Sequence, residues 1–164
     1  MKEEKFEMVE SETNNGEVLD AQDVFEKGTT ALVSSDKSDD FISKAENVNI
    51  FGEQADGLKD ATNLDLEIVK YVAGNVELVD NETGEVRPAL RVVLLTKDGK
   101  RYSTESKSAI RQLGQMVQLM KQGGLHMSEE TPMPVKVIMN KTRNGYQSLG
   151  FKLNTNKLRS YLKK

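Results

Sequence analysis

Catalysis needs a nucleophile, a base or a metal held within reach of a substrate, and this chain carries few residues of those kinds. It has no cysteine and one histidine among 164 residues. Thiolate metal sites, a cysteine nucleophile and a disulfide framework are therefore excluded. His126 lies in LHMSEETPMP, which reads as a link, and an isolated histidine there is a solvated loop residue rather than a base or a ligand. Asp65, Glu67 and Glu77 share one strand-like region, but charges alternating with apolar residues describe a solvated face. Neither a phosphate-cradling glycine loop nor a nucleophile elbow is present. The reading is a non-enzymatic protein with no cofactor and no metal.

The chemistry the sequence does offer is recognition of a polyanion. Binders of single-stranded nucleic acid need cations to follow the phosphates and aromatic faces on which bases stack. Lys100, Arg101 and Tyr102 stand together, and Lys141, Arg143 and Tyr146 gather around a second turn. In YQSLGFKL, strand alternation puts Leu149, Phe151 and Leu153 on a core face and Tyr146, Ser148, Gly150 and Lys152 on the other. Arg87 and Arg91 precede the first cluster, and Arg91 interrupts an apolar run, which points it outward. The candidate nucleic-acid-binding residues are thus Arg87, Arg91, Lys100, Arg101, Tyr102, Lys141, Arg143, Tyr146 and Lys152. Two readings stand for Tyr102, a stacking ring or a core-edge residue with its hydroxyl in water. Hairpin cations also serve simply to solubilise a fold.

Charge distribution favours the binding reading. The overall net charge of −3 hides 16 Asp/Glu against 6 Lys in residues 1–60, and 10 Asp/Glu against 17 Lys/Arg in residues 61–164. From Thr131 to Lys164 there are 8 basic residues and no acidic one. Such asymmetry between the two parts of a chain points to contact with nucleic acid or a membrane surface. Aromatic residues make up only 5% of the chain, so stacking sites are few and binding is expected to be electrostatic and salt-sensitive.

The elements that must position these residues follow from periodicity. Leu64, Leu66 and Ile68 alternate with Asp65 and Glu67, opening a long strand over 64–80 in which Gly74 predicts a bulge or bend. After the turn NETGE comes the strand RPALRVVLLT. KDGK then forms a tight hairpin into RYSTES, because Asp-Gly supplies the positive φ such turns require. From Lys107 to Gln122 the period becomes helical, through Ile110, Leu113, Val117 and Met120, widened by Met116 and Leu119. VKVIMNK and YQSLGFKL are the last strands, joined at Asn144-Gly145. Five strands with a helix between the third and fourth is the chain order of the OB-fold, a five-stranded Greek-key barrel that binds oligonucleotides.

The predicted architecture is therefore mainly β: a five-stranded OB-like barrel with one helix between strands 3 and 4, plus an irregular, short-helical N-terminal extension. Residues 1–20 read as an acidic disordered arm, 21–60 as a loop and short-helix extension, 61–154 as the nucleic-acid-binding domain, and 155–164 as a basic tail that is partly helical. No run approaches the length of a membrane span and the N-terminus lacks a secretory apolar region, so a soluble, cytoplasmic protein is expected.

The stretch from Val79 to Leu113, with its Asp-x-x-Thr-Gly-Glu turn, Asp-Gly-x-x-Tyr hairpin and Ser-rich lead into a helix, resembles the single-stranded DNA-binding proteins of bacteriophages. KTRNGYQSLGFKL resembles their final hairpin. The resemblance implies an OB-like fold, coating of displaced single strands during viral DNA replication, no cofactor, and a host-cell cytoplasmic location. The expected partner is single-stranded DNA; the sequence does not separate it from RNA, which would require contacts to the 2′-hydroxyl. An acidic arm on a basic domain fits three roles: a weak internal competitor, a recruiter of replication proteins, or a solubilising tail. An exposed edge strand would let copies of the chain pair, which leaves the oligomeric state open. The alternative function is a protein-interaction or accessory β-barrel module of a replication or recombination complex.

Overall fold

The computed structural model describes residues 32–36, 40–141 and 143–163; the acidic arm over residues 1–20 lies outside them. In chain order the elements are β1 (Val33–Ser34), α1 (Phe41–Gly52), β2 (Asp56–Gly57), a 3-10 turn (Leu58–Ala61), β3 (Asp65–Val79), β4 (Val86–Thr96), β5 (Arg101–Thr104), α2 (Lys107–Gln122), β6 (Met133–Lys141), β7 (Gln147–Leu153) and α3 (Thr155–Leu162). The strands form one mixed sheet in the order β2-β5-β4-β3-β6-β7, with β1 added on β3. The sheet curls into a half-barrel. All neighbours are antiparallel except β2 and β5.

The strands from β3 onwards fall where the alternation places them, and β1 and β2 add two short strands within a region expected to hold only loops and short helices. β3 is shared. Its first residues pair with β6, Asp65 opposite Lys136 through Ile68 opposite Met133, and the rest pairs with β4 as far as Val79 opposite Val86. The bulge lies between Ile68 and Lys70, not at Gly74, whose pairing with Arg91 is in regular register. The additional residue, Val69, reverses the alternation, so Leu66 and Ile68 before it and Tyr71 and Ala73 after it face the same core. Gly74 instead admits side chains. A Cβ there would sit 2.6 Å from Leu32 Cδ2 and 2.9 Å from Phe51 Cζ.

The concave face of the sheet holds the main core. α2 lays Leu113, Met116, Val117 and Met120 across it, while Leu58 and Ala61 of the 3-10 turn are fully buried in the same cluster. Each such leucine, methionine or valine side chain, fully buried, contributes roughly 1.5–3 kcal/mol of transfer free energy. Ser106 caps the helix by accepting from the Ala109 N–H. Leu119, expected on the apolar stripe, is exposed instead. A second, smaller core lies on the convex face, where Ile50 of α1 meets Val72 and Val93, flanked by Phe51 and Leu95. The N-terminal extension thus supplies a helix that seats on the outside of β3 and β4.

No strand pairing joins the sheet's outer strands, β2 and β7, and α2 lies along the β7 side of that seam. Gln112 Nε2 donates to the Phe151 carbonyl at 2.7 Å, and the Phe151 N–H donates to Gln112 Oε1 at 2.8 Å. One turn earlier, Ser108 Oγ donates to the Leu149 carbonyl at 3.0 Å. These side chains occupy backbone groups that a neighbouring strand would otherwise take. A Cβ on Gly150 would lie 2.8 Å from Gln112 Oε1, so glycine at that position makes room for the amide. The middle of the β7 edge, from Leu149 to Phe151, is consequently covered by α2.

The tail is helical from Thr155, capped by Asn154, which accepts from the Lys157 N–H. Tyr161 ties it down by donating to the Pro132 carbonyl at 2.8 Å, and burial together with the Glu67 carboxylate raises the phenol's pKa.

Candidate nucleic-acid interface

Two hairpins present the predicted cations. In the β4–β5 turn, Gly99 takes φ +86°, as its Asp-Gly sequence requires. The Thr96 hydroxyl bonds the Asp98 carboxylate, and this bond, helped by the N–H and charge of Lys100, holds the Asp98 pKa below the ordinary carboxylate value. The turn is thereby fixed with Lys100 exposed. In the β6–β7 turn, Gly145 takes φ +82°, and Lys141 and Arg143 are exposed around it. Tyr146 leaves this turn with 72% of its surface exposed.

The two sheet faces treat the remaining candidates differently. Pairing of Val93 with Ser103 and of Leu95 with Arg101 puts Arg87, Arg91 and Arg101 on the convex face. Arg87 is exposed, out on the β3–β4 ribbon. Arg91 Nε donates to Glu105 Oε2 at 2.7 Å, and Arg101 Nη1 lies 2.7 Å from Glu53 Oε2, just past the end of α1. Both guanidiniums thus carry a carboxylate partner and lie half-buried. Arg101 Nε is buried without a hydrogen-bond partner.

Tyr102 is only 5% exposed and packs in the main core between Leu94 and the helix side chains. Its ring faces inward, so of the two sequence readings the structure favours the core one. The Lys100–Arg101–Tyr102 run therefore splits three ways, into a solvated cation, an ion-paired cation and a core ring.

Lys152 is exposed on the convex face of β7. Directly opposite it in register is Lys136 of β6, also exposed, a residue that sequence reasoning passed over. Its signal was available: in VKVIMNK, Val135 and Val137 go to the core, so Lys136 must point out. Gly150 on the same face, read from sequence as space for an approaching strand, is buried against Gln112. Among the described residues, Arg87, Lys100, Lys136, Lys141, Arg143 and Lys152 have no carboxylate within ion-pair distance.

Among the described residues, no group of three or more His, Asp or Glu side chains could hold a metal ion, and no helix is long and apolar enough to cross a membrane. What the arrangement supports is attraction of a flexible anionic chain by exposed cations, with one accessible aromatic face at a hairpin tip.

A family model described as Phage Single-stranded DNA-binding protein matches residues 40–154. The match starts at Asp40, the cap of α1, and stops at Asn154, the cap of α3, so it takes in the convex-face helix as well as the whole sheet from β2 to β7. No curated protein and no solved structure matches the chain.

Proposed function

This chain belongs to the phage single-stranded DNA-binding protein family, and we propose that it coats single-stranded DNA during phage replication in the host cytoplasm, with little regard to sequence and without catalysing a reaction. The observation that carries the reading is the set of exposed cations on and beside the two hairpins, without carboxylate partners among the described residues, with Tyr146 projecting among them. Phosphate contacts of this kind give affinity without reading bases. The exposed ring of Tyr146 adds stacking that every base can satisfy.

The fold supports the same reading. Counted from β3, the chain runs strand, strand, strand, helix, strand, strand, and we read it as an OB-type barrel left open at the seam that α2 borders. On this reading residues 61–154 are the DNA-binding domain, α1 and its flanks are an accessory layer, and the basic tail 155–164 contributes α3 over Thr155–Leu162. Lys100, Lys141, Arg143, Tyr146, Lys152 and Arg87 are the contact residues, and Tyr102 supports them from the core.

Titration of labelled oligo-dT at two salt concentrations tests the proposal. Binding that weakens steeply with salt is the expected result. Failure to bind at low salt overturns it, and tighter binding to duplex than to single strand would assign the protein to another class of DNA binder.

A further inference from the structure

In an OB barrel the ligand usually lies over the second and third strands, which here are β4 and β5. That surface is already taken. Ile50 and Phe51 of α1 pack on Val72, Val93 and Leu95, and the nearby guanidiniums of Arg91 and Arg101 are engaged by Glu105 and Glu53. A DNA strand placed there would have to displace a helix and break two ion pairs.

The convex face of β6 and β7 is different. Lys136 and Lys152 stand opposite one another with no carboxylate in ion-pair range among the described residues. Like charges placed directly opposite on neighbouring strands destabilise a sheet. An anion bridging them removes that cost. From this pair towards the hairpin tip the face carries Ile138 and Gly150, then Asn140 and Ser148, and Tyr146 follows just beyond the last pair, Lys141 and Gln147, with its ring exposed. None of these residues is acidic. Asp65 stands directly opposite Lys136 on its other side without forming an ion pair with it, and Glu67, two residues on, is approached by Lys157 at 3.9 Å. The distance from Lys136 to the tip, at about 3.4 Å per residue, is roughly 17 Å.

Building on the single-strand binding proposed above, we infer that the DNA backbone crosses the convex face of β6 and β7, with Lys136 and Lys152 as paired phosphate anchors and Tyr146 as the stacking end, while α1 keeps the β4–β5 face closed. The convex α1 layer is thus what sets the path.

The test uses the full chain and fluorescein-labelled oligo-dT, comparing wild type with Lys136→Gln/Lys152→Gln. Each single-strand phosphate contact adds about 0.7 to the log–log salt slope. Loss of two contacts should make the slope shallower by about 1.4 and weaken binding about 25-fold at roughly 0.1 M salt, with the difference closing towards 1 M. The melting temperature should hold or rise, since a like-charge pair is removed. Photocrosslinking of oligo-dT to the wild-type chain, followed by peptide mapping, gives a second readout that does not depend on the variant folding. Adducts are expected within 136–152. A wild type that does not bind DNA at all removes the proposed function itself. A wild type that binds, with the double variant unchanged in affinity and slope or with adducts in 89–103 and none within 136–152, overturns the path but leaves the function standing.

Discussion

Replacing Gln112 with leucine removes the side-chain amide that ties α2 to the β7 edge while keeping most of its volume. Two hydrogen bonds disappear, at 2.7 and 2.8 Å, and both end on the backbone of Phe151, a residue only 2% exposed. A typical intramolecular hydrogen bond contributes about 0.5–1.5 kcal/mol net, so the pair is worth about 1–3 kcal/mol. Gln112→Glu distinguishes the two bonds. Its carboxylate still accepts from the Phe151 N–H but faces the Phe151 carbonyl with no proton to donate. The loss should therefore exceed that of leucine at neutral pH. It should shrink as the pH falls towards about 4, where the protonated acid regains a donor. The assays are urea unfolding followed by circular dichroism and amide exchange resolved at Phe151. Gln112→Leu should lower the unfolding midpoint and speed exchange at Phe151 more than at Val137, its partner on β6. An unchanged midpoint with unchanged Phe151 protection would show that α2 does not hold the β7 edge through this side chain.

The two tyrosines should separate cleanly. Tyr102→Phe should leave stability and DNA affinity nearly unchanged, whereas Tyr102→Ala should cost about 3–5 kcal/mol of stability because it empties a core site, as thermal unfolding would report. Tyr146→Ala should leave the melting temperature in place and weaken oligo-dT binding by about 1–3 kcal/mol, measured by fluorescence titration. At the β4–β5 turn, the lowered pKa of Asp98 means that its stabilising contribution is present above the ordinary carboxylate range and lost as pH falls through the lowered folded value. An NMR titration should place Asp98 below a free aspartate in the wild type and move it back up in Thr96→Val, and equal values in the two proteins would discount the hydroxyl.

Features set by local pattern were readable from the chain. The helical stripe from Lys107 to Gln122 and the hairpins at Asp98-Gly99 and Asn144-Gly145 fall where their spacing and turn chemistry put them. Lys152 likewise lies on the face that alternation assigned to it. Features set by distant partners were not readable. Gly74 signals a bulge by its residue type, yet it answers to Leu32 and Phe51, which approach from an element without clear periodicity. Only two residues of α1, Ser43 and Ile50, are buried, so its sequence carries little amphipathic signal. Tyr102 beside two cations reads as a stacking ring, but its direction is set by pairing opposite Leu94. Gln112 shows nothing in the sequence of its contact with a strand 39 residues further on.

The division of β3 between two partners also governs how the chain assembles. Its pairing with β4 grows outward from a short turn, and β5 follows through another, so this meander can form from contacts close in sequence. Its pairing with β6 joins residues 65 to 71 positions apart. At about 5–20 residues per second of synthesis, the first four residues of β3 wait roughly 3–14 seconds for their partner to emerge. Through that interval Leu66 and Ile68 belong to an incomplete core, and closing so long a loop comes before any of its contacts are gained. The meander is thus the early, local unit of folding, and the hairpin that carries Lys136, Lys152 and Tyr146 docks last.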